Sequence, residues 1–136
     1  MSEKREEAGG RVAAAQGEER QSDKFRVSSR RIVAESADIQ VKEFLLTVGE
    51  EVPWHHHTEV FDIFYCLQGR LTVQRSDVFS RERLGDVVLQ IGESTKVEPG
   101  TAHRPANEGP GICRFLLIQG VGKYDFLAYQ AEAGKE

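Results

Sequence analysis

Cysteine is scarce in this chain. Cys66 and Cys113 are its only two, and neither belongs to a CxxC pair or to a dense disulfide framework. A soluble, reducing setting follows as the expectation, and the chain is placed in the cytoplasm. No apolar stretch is long enough to cross a bilayer, and the amino terminus reads MSEKREE rather than a basic patch followed by an apolar core. No membrane partner is expected. Positive charge is not in excess either, since 18 Lys and Arg face 22 Asp and Glu for a net charge of −4. Such a balance leaves no electrostatic footprint for nucleic acid. Also missing are a long helical period, an internal repeat and a helix-turn-helix pattern.

Residues 1–24 carry charges of both signs, alanines and glycines but no aromatic residue. A segment like this cannot bury enough apolar surface to offset its ordering entropy, and it is expected to be a disordered tail. From Phe25 the texture changes. Residues 25–136 read as one β domain, and the chain's 39% hydrophobic content is enough for a core of its own. Short β-rich runs recur between turn signals every 8 to 12 positions or so. The candidate strands are Arg31 to Ala34, Ile39 to Val48, Trp54 to His57, Val60 to Leu67, Arg70 to Arg75, Asp86 to Ile91, Thr95 to Val97, Ala102 to Ala106, Ile112 to Gln119 and Lys123 to Leu127. Turns are expected at Gly49 to Pro53, Gln68-Gly69, Leu84-Gly85, Gly92 to Ser94, Pro99-Gly100 and Glu108 to Gly111. The fold class is all-β, and a double-stranded β-helix or jelly roll is its natural closure.

The chemistry concentrates in Gly49 to Gly69, GEEVPWHHHTEVFDIFYCLQG. Successive residues of an extended segment point to opposite faces, so His55 and His57 project from one side and His56 from the other. Asp62 follows in FDIFYCL, the next strand, which can fold back and add a carboxylate. His103 lies after the Pro99-Gly100 turn and enters another strand. Three of the chain's four histidines and one acid are therefore a candidate metal site.

These residues resemble the cupin family. Its first motif is Gly, five residues, His-x-His, three or four residues, Glu, six residues, Gly; Gly49, His55, His57 and Gly69 match, with Asp62 in the Glu position. Its second is Gly, five residues, Pro-x-Gly, two residues, His, three residues, Asn; Gly92, Gly100, His103 and Asn107 match, while Glu98 replaces the Pro. The likeness covers roughly residues 39 to 126. It implies a small β-barrel in which His55, His57, Asp62 and His103 bind one divalent metal. Asp62 is one methylene shorter than the usual Glu, so a backbone shift or a water is expected to help it reach the ion. The resemblance also implies a homodimer with sheets packed or strands exchanged, Phe25 to Ala34 being the strand to cross.

Duller roles compete for other residues. His56 is read as a packed or surface histidine, and Glu59 and Glu98 as solvated or outer-sphere. Inward parity from Asp62 selects Phe64 and Cys66, which either line the same cavity or serve as core. Trp54, Tyr65, Phe115 and Tyr124 are read as core or interface residues, with substrate contact as the alternative. Arg104 and Arg114 are the nearest candidates for an anionic ligand.

Three imidazoles and a carboxylate suit Fe, Mn, Co, Ni, Cu or Zn, and open coordination positions would admit water or a small-molecule substrate. Oxygen-dependent cleavage of a small organic substrate leads. A non-redox isomerase, cyclase or lyase, and a non-catalytic small-molecule binding module, stand beside it. The resemblance fixes no reaction, because one fold carries many functions.

Overall fold

The computed structural model describes residues 27–131. The expected tail, residues 1–24, lies outside that range. Ten strands run in order: β1 (Ser29–Glu35), β2 (Ile39–Leu46), β3 (His55–His56), β4 (Phe61–Gln68) and β5 (Leu71–Asp77). Then come β6 (Arg83–Leu89), β7 (Ser94–Val97), β8 (Thr101–Ala106), β9 (Cys113–Gly120) and β10 (Leu127–Ala128). They form two five-stranded antiparallel sheets, β1-β2-β9-β4-β7 and β10-β3-β8-β5-β6. Among the described residues there is no helix, and so none long and apolar enough to cross a membrane. The first sheet holds β1 on the chain's own β2, with Arg30 opposite Phe44.

Strand alternation decides what each sheet buries. On β2 the inward positions are Lys42, Phe44 and Leu46, on β4 Asp62, Phe64 and Cys66, and on β9 Cys113, Phe115, Leu117 and Gln119, all buried. Antiparallel register aligns these runs. Phe44 pairs with Phe115 and stacks on it at 4.9 Å, Phe64 pairs with Leu117, and Asp62 pairs with Gln119. The interior is therefore graded. One end is apolar, with Leu46, Cys66, Leu71, Val73 and Cys113 fully buried, each large aliphatic contributing about 1.5–3 kcal/mol. The other end collects Lys42, Asp62 and Gln119, with the histidines facing them from the second sheet.

Two motif residues outside the histidines are explained by packing. Gly69 turns between β4 and β5 at φ 74°, and a Cβ there would lie 2.1 Å from the Ile112 carbonyl oxygen, so only glycine fits. Asn107 is buried at the end of β8. Its amide nitrogen donates to the carbonyls of Leu46 (3.0 Å) and Gly111 (2.9 Å), and its Oδ1 accepts from Gly109 N (2.8 Å), tying β8 to β2 and to the loop before β9.

Three expectations need correction. Gly85 is not in a turn but inside β6; the reversal lies at 77–82, where Asp77 Oδ2 accepts from Ser80 N and Arg81 adopts φ 64°. Asp77 supplies an Asx-type cap that a search for glycine overlooks. The third strand is only His55–His56, because the His57 carbonyl leaves the ladder and accepts from Gly100 N instead. The last strand is Leu127–Ala128, since residues 123–126 are used to cover the polar end of the barrel.

Candidate metal centre

Four side chains meet at the polar end: His55, His57, Asp62 and His103, all buried, with one donor atom of each lying within 4.8 Å of every other. β3 and β8 place His55 directly opposite His103, ring centroids 4.3 Å apart. His57 enters from the loop after β3. Asp62 comes from the facing sheet, where its Oδ2 lies 2.7 Å from His103 Nε2 and 3.1 Å from His57 Nε2. The shorter acid thus reaches both rings directly.

The outer ring nitrogens show how the cluster is poised. His55 Nδ1 lies 2.7 Å from the Pro53 carbonyl, His57 Nδ1 2.5 Å from that of Asp125, and His103 Nδ1 2.9 Å from that of Thr101. A carbonyl can only accept, so each Nδ1 carries a proton, and Nε2 is the ring nitrogen turned to the cluster. Three Nε2 atoms and a buried carboxylate then face one another; His57 and His103 meet Asp62 through hydrogen bonds from Nε2, and a metal would take the place of those protons. Backbone carbonyls behind histidines are the usual outer support of a metal site. The donor set, three imidazole nitrogens and one carboxylate oxygen, fits a divalent transition metal and does not select among them.

Charge reflects the same geometry. Burial, and then the neighbouring His103, pushes His55 well below its usual range, which keeps it neutral and able to ligate. Burial pulls His57 down too, but the hydrogen bond and charge of Asp62, with the Asp125 carbonyl, outweigh it and raise the ring. For Asp62, burial works against the charged form, yet hydrogen bonds from His103 and His57 hold the acid far below the usual carboxylate range. Asp62 is thus an anion inside the barrel.

Several supporting residues, Tyr124 apart, escaped the sequence reading. Gln119 donates from Nε2 to Asp62 Oδ1 (2.8 Å) and accepts at Oε1 from Lys42 Nζ (3.2 Å). The amide can face only this way, its NH2 to the carboxylate and its oxygen to the ammonium. Phe126 stacks on His55 at 4.3 Å, Tyr124 lies beside His57 and under Lys42, and Asp125 takes Thr58 N and Oγ1 on its carboxylate. Inward parity is the signal that would have found Lys42 and Gln119, a charged and a polar residue on otherwise apolar strand faces.

A cavity opens beside the cluster, lined by His55, Asp62, Lys42, Gln119, Tyr124 and Arg30 against Phe44, Phe64, Phe115, Leu117 and Phe126. About 310 Å³ of it is empty when the space open to solvent is counted.

Most of the other expected residues lie apart from it. Cys66 is inward but packs at the apolar end against the Gln68 and Gly69 carbonyls, and burial raises its thiol and that of Cys113. Phe115 and Tyr124 do line the cavity, whereas Trp54 packs on Tyr129 and Tyr65 is exposed. Arg104 is bound to Glu51 and Gln74, and Arg114 to Glu43, so neither faces the site. His56 is half-buried beside Tyr129, Glu59 accepts from Lys123 N, and Glu98 pairs with Lys96 at the surface.

Comparison with known proteins agrees with this architecture. Residues 42–119 match the model of the cupin domain. No curated protein matches the chain. Among solved structures, a double-stranded β-helix protein from Klebsiella pneumoniae is 23% identical with a TM-score of 0.65, over 82% of this chain and 90% of that one. A cupin-2 domain protein from Shewanella frigidimarina is 25% identical with a TM-score of 0.56, over 71% and 83%. A predicted oxalate decarboxylase from Thermotoga maritima is 19% identical with a TM-score of 0.59, over 69% and 80%.

Proposed function

The chain belongs to the cupin family, and on that footing we propose that it is a metal-dependent enzyme for a small organic substrate, with oxygen-dependent chemistry as the leading reaction. Nε2 of His55, His57 and His103 and the carboxylate of Asp62 would hold one divalent transition metal. The observation that carries this reading is the set of three Nδ1–H groups committed to backbone carbonyls, which turns three Nε2 atoms toward one buried carboxylate. A bound metal supplies Lewis acidity and, where redox-active, electrons for oxygen chemistry.

The chain's own residues supply the rest. Gln119 holds the Asp62 carboxylate in one orientation, and Phe126 fixes the His55 ring by stacking. Phe44, Phe64, Phe115 and Leu117 form an apolar wall that keeps bulk water from the cluster and strengthens the electrostatics within. A second reading rests on the Tyr124 phenol and the Lys42 ammonium in the same cavity, which could move a proton in a non-redox isomerase, cyclase or lyase.

Elemental analysis of protein purified without added metal, and then assays on enols, diketones and catechols with and without oxygen, test both. Oxygen uptake supports the leading reaction, and turnover without oxygen supports the second. Stoichiometric metal with saturable binding but no turnover on any of them would overturn the enzyme reading in favour of a binding module.

A further inference from the structure

We infer that Asp125 is a positioning residue for the metal centre: its carboxylate clasps Thr58, and this keeps its own main-chain carbonyl on the ring of His57. The inference rests on the metal-dependent reading above and deepens it.

The three histidines are not held alike. His55 Nδ1 donates to the carbonyl of Pro53 and His103 Nδ1 to that of Thr101, each two residues back along the same stretch of chain. Those two rings are aimed by their own strands, β3 and β8, which also set them opposite each other. His57 lies past the end of β3, and its Nδ1 donates to the carbonyl of Asp125, 68 residues away. Among the three rings, only His57 is aimed from a distant part of the chain.

The segment that aims it has little strand pairing to hold it. β10 is two exposed residues, Leu127 opposite His56 and Ala128 opposite His55. Its far side is tied by Tyr129, whose N donates to the Trp54 carbonyl at 3.2 Å and whose hydroxyl meets Ser76 Oγ at 2.8 Å. Nearer the metal centre the ties come from side chains. Asp125 Oδ1 accepts from Thr58 N at 3.0 Å and Oδ2 from Thr58 Oγ1 at 2.7 Å, while Glu59 Oε1 accepts from Lys123 N at 3.0 Å. Thr58 follows His57 directly, so one residue grips the backbone beside the ligand with its side chain and takes the ligand's ring with its carbonyl. Bonds to an ionised carboxylate are the stronger kind, and outer partners that fix a ring's orientation preorganise a metal site. The half-buried Asp125 thus reaches the metal centre without touching it.

The test is hydrogen exchange of the ring Nδ1–H groups, read by NMR on the metal-free full chain, with zinc affinity measured on the same samples by chelator competition. Asp125→Ala should speed exchange at His57 by about 10-fold or more and leave His55 and His103 at native rates, because their carbonyls lie on their own strands. Zinc affinity should fall about 10-fold, the lower end for an outer partner, since the carbonyl itself remains. Asp125→Asn keeps an acceptor for Thr58 N and offers a donor to Thr58 Oγ1, so it should hold both quantities within about threefold of native. Thr58→Val cuts the clasp from its other side and should give a smaller loss, again confined to His57. Unchanged His57 exchange in Asp125→Ala overturns the proposal, as does equal acceleration at all three rings, which marks general loosening. Zinc affinity within twofold of native in Asp125→Ala overturns it too. A native protein that binds no zinc would remove the metal reading instead, and exchange confined to His57 tells that outcome from failure of the clasp.

Discussion

Replacing Gln119 by Met removes one buried amide at nearly constant volume and leaves every proposed metal ligand in the sequence. The Asp62 carboxylate loses the donor at 2.8 Å, and Lys42 loses the acceptor at 3.2 Å. Outer partners of this kind are worth about 10- to 100-fold in metal affinity, or about 1.4–2.7 kcal/mol. The same change should destabilise the metal-free protein, because a lost hydrogen bond to a charged group costs about 1.5–3 kcal/mol. At about 4 °C per kcal/mol for a domain of this size, Tm should fall by roughly 6–12 °C. Chelator competition gives the affinity, and thermal unfolding of stripped protein gives Tm. A Gln119→Met variant within threefold of native affinity, with Tm unmoved, would refute the idea that Gln119 orients Asp62.

The same geometry sets other outcomes. Asp62→Ala should lose less metal than any single His→Ala change, because water can partly replace a hard oxygen donor but not an imidazole; Asp62→Glu should retain metal, both read by elemental analysis. Asn107→Ala leaves the Leu46 and Gly111 carbonyls and the Gly109 N–H without their partner, and about 3–5 kcal/mol should be lost in urea unfolding at unchanged m-value. Burial, and then the neighbouring Cys66, pushes the Cys113 thiol up from 9.0 to about 12. The unfolded chain releases that proton first, so the thiol's contribution is complete below pH 9 and is lost as pH rises toward 12; Cys113→Ala should flatten that alkaline decline, and a slope identical to native would contradict the burial argument.

Much of this site is legible in the sequence because strands repeat every two residues. Parity places Asp62, Phe64 and Cys66 on one inward face, and sets His55 and His57 together with His56 apart, as the structure has them. His103 is found by its motif spacing and by the turn before it. Parity says which face, not which end. Cys66 is inward like Asp62, but four residues of strand put it about 13 Å away, among the apolar residues of the far end. Lys42 and Gln119 are 77 residues apart, and only the β2–β9 and β4–β9 registers together bring them to Asp62. The covering segment at 123–126 acts through a backbone carbonyl and two aromatic rings, and a carbonyl leaves no trace in residue type.

The central claim is that His55, His57, His103 and Asp62 form one metal site. Its most direct measurement is the metal content, by elemental analysis, of native protein and of the His55→Ala/His57→Ala double variant, both purified without added metal. One divalent transition metal per native chain, and almost none in a double variant that still unfolds cooperatively, is the predicted result. Stoichiometric metal retained after both histidines are gone would contradict the site assignment.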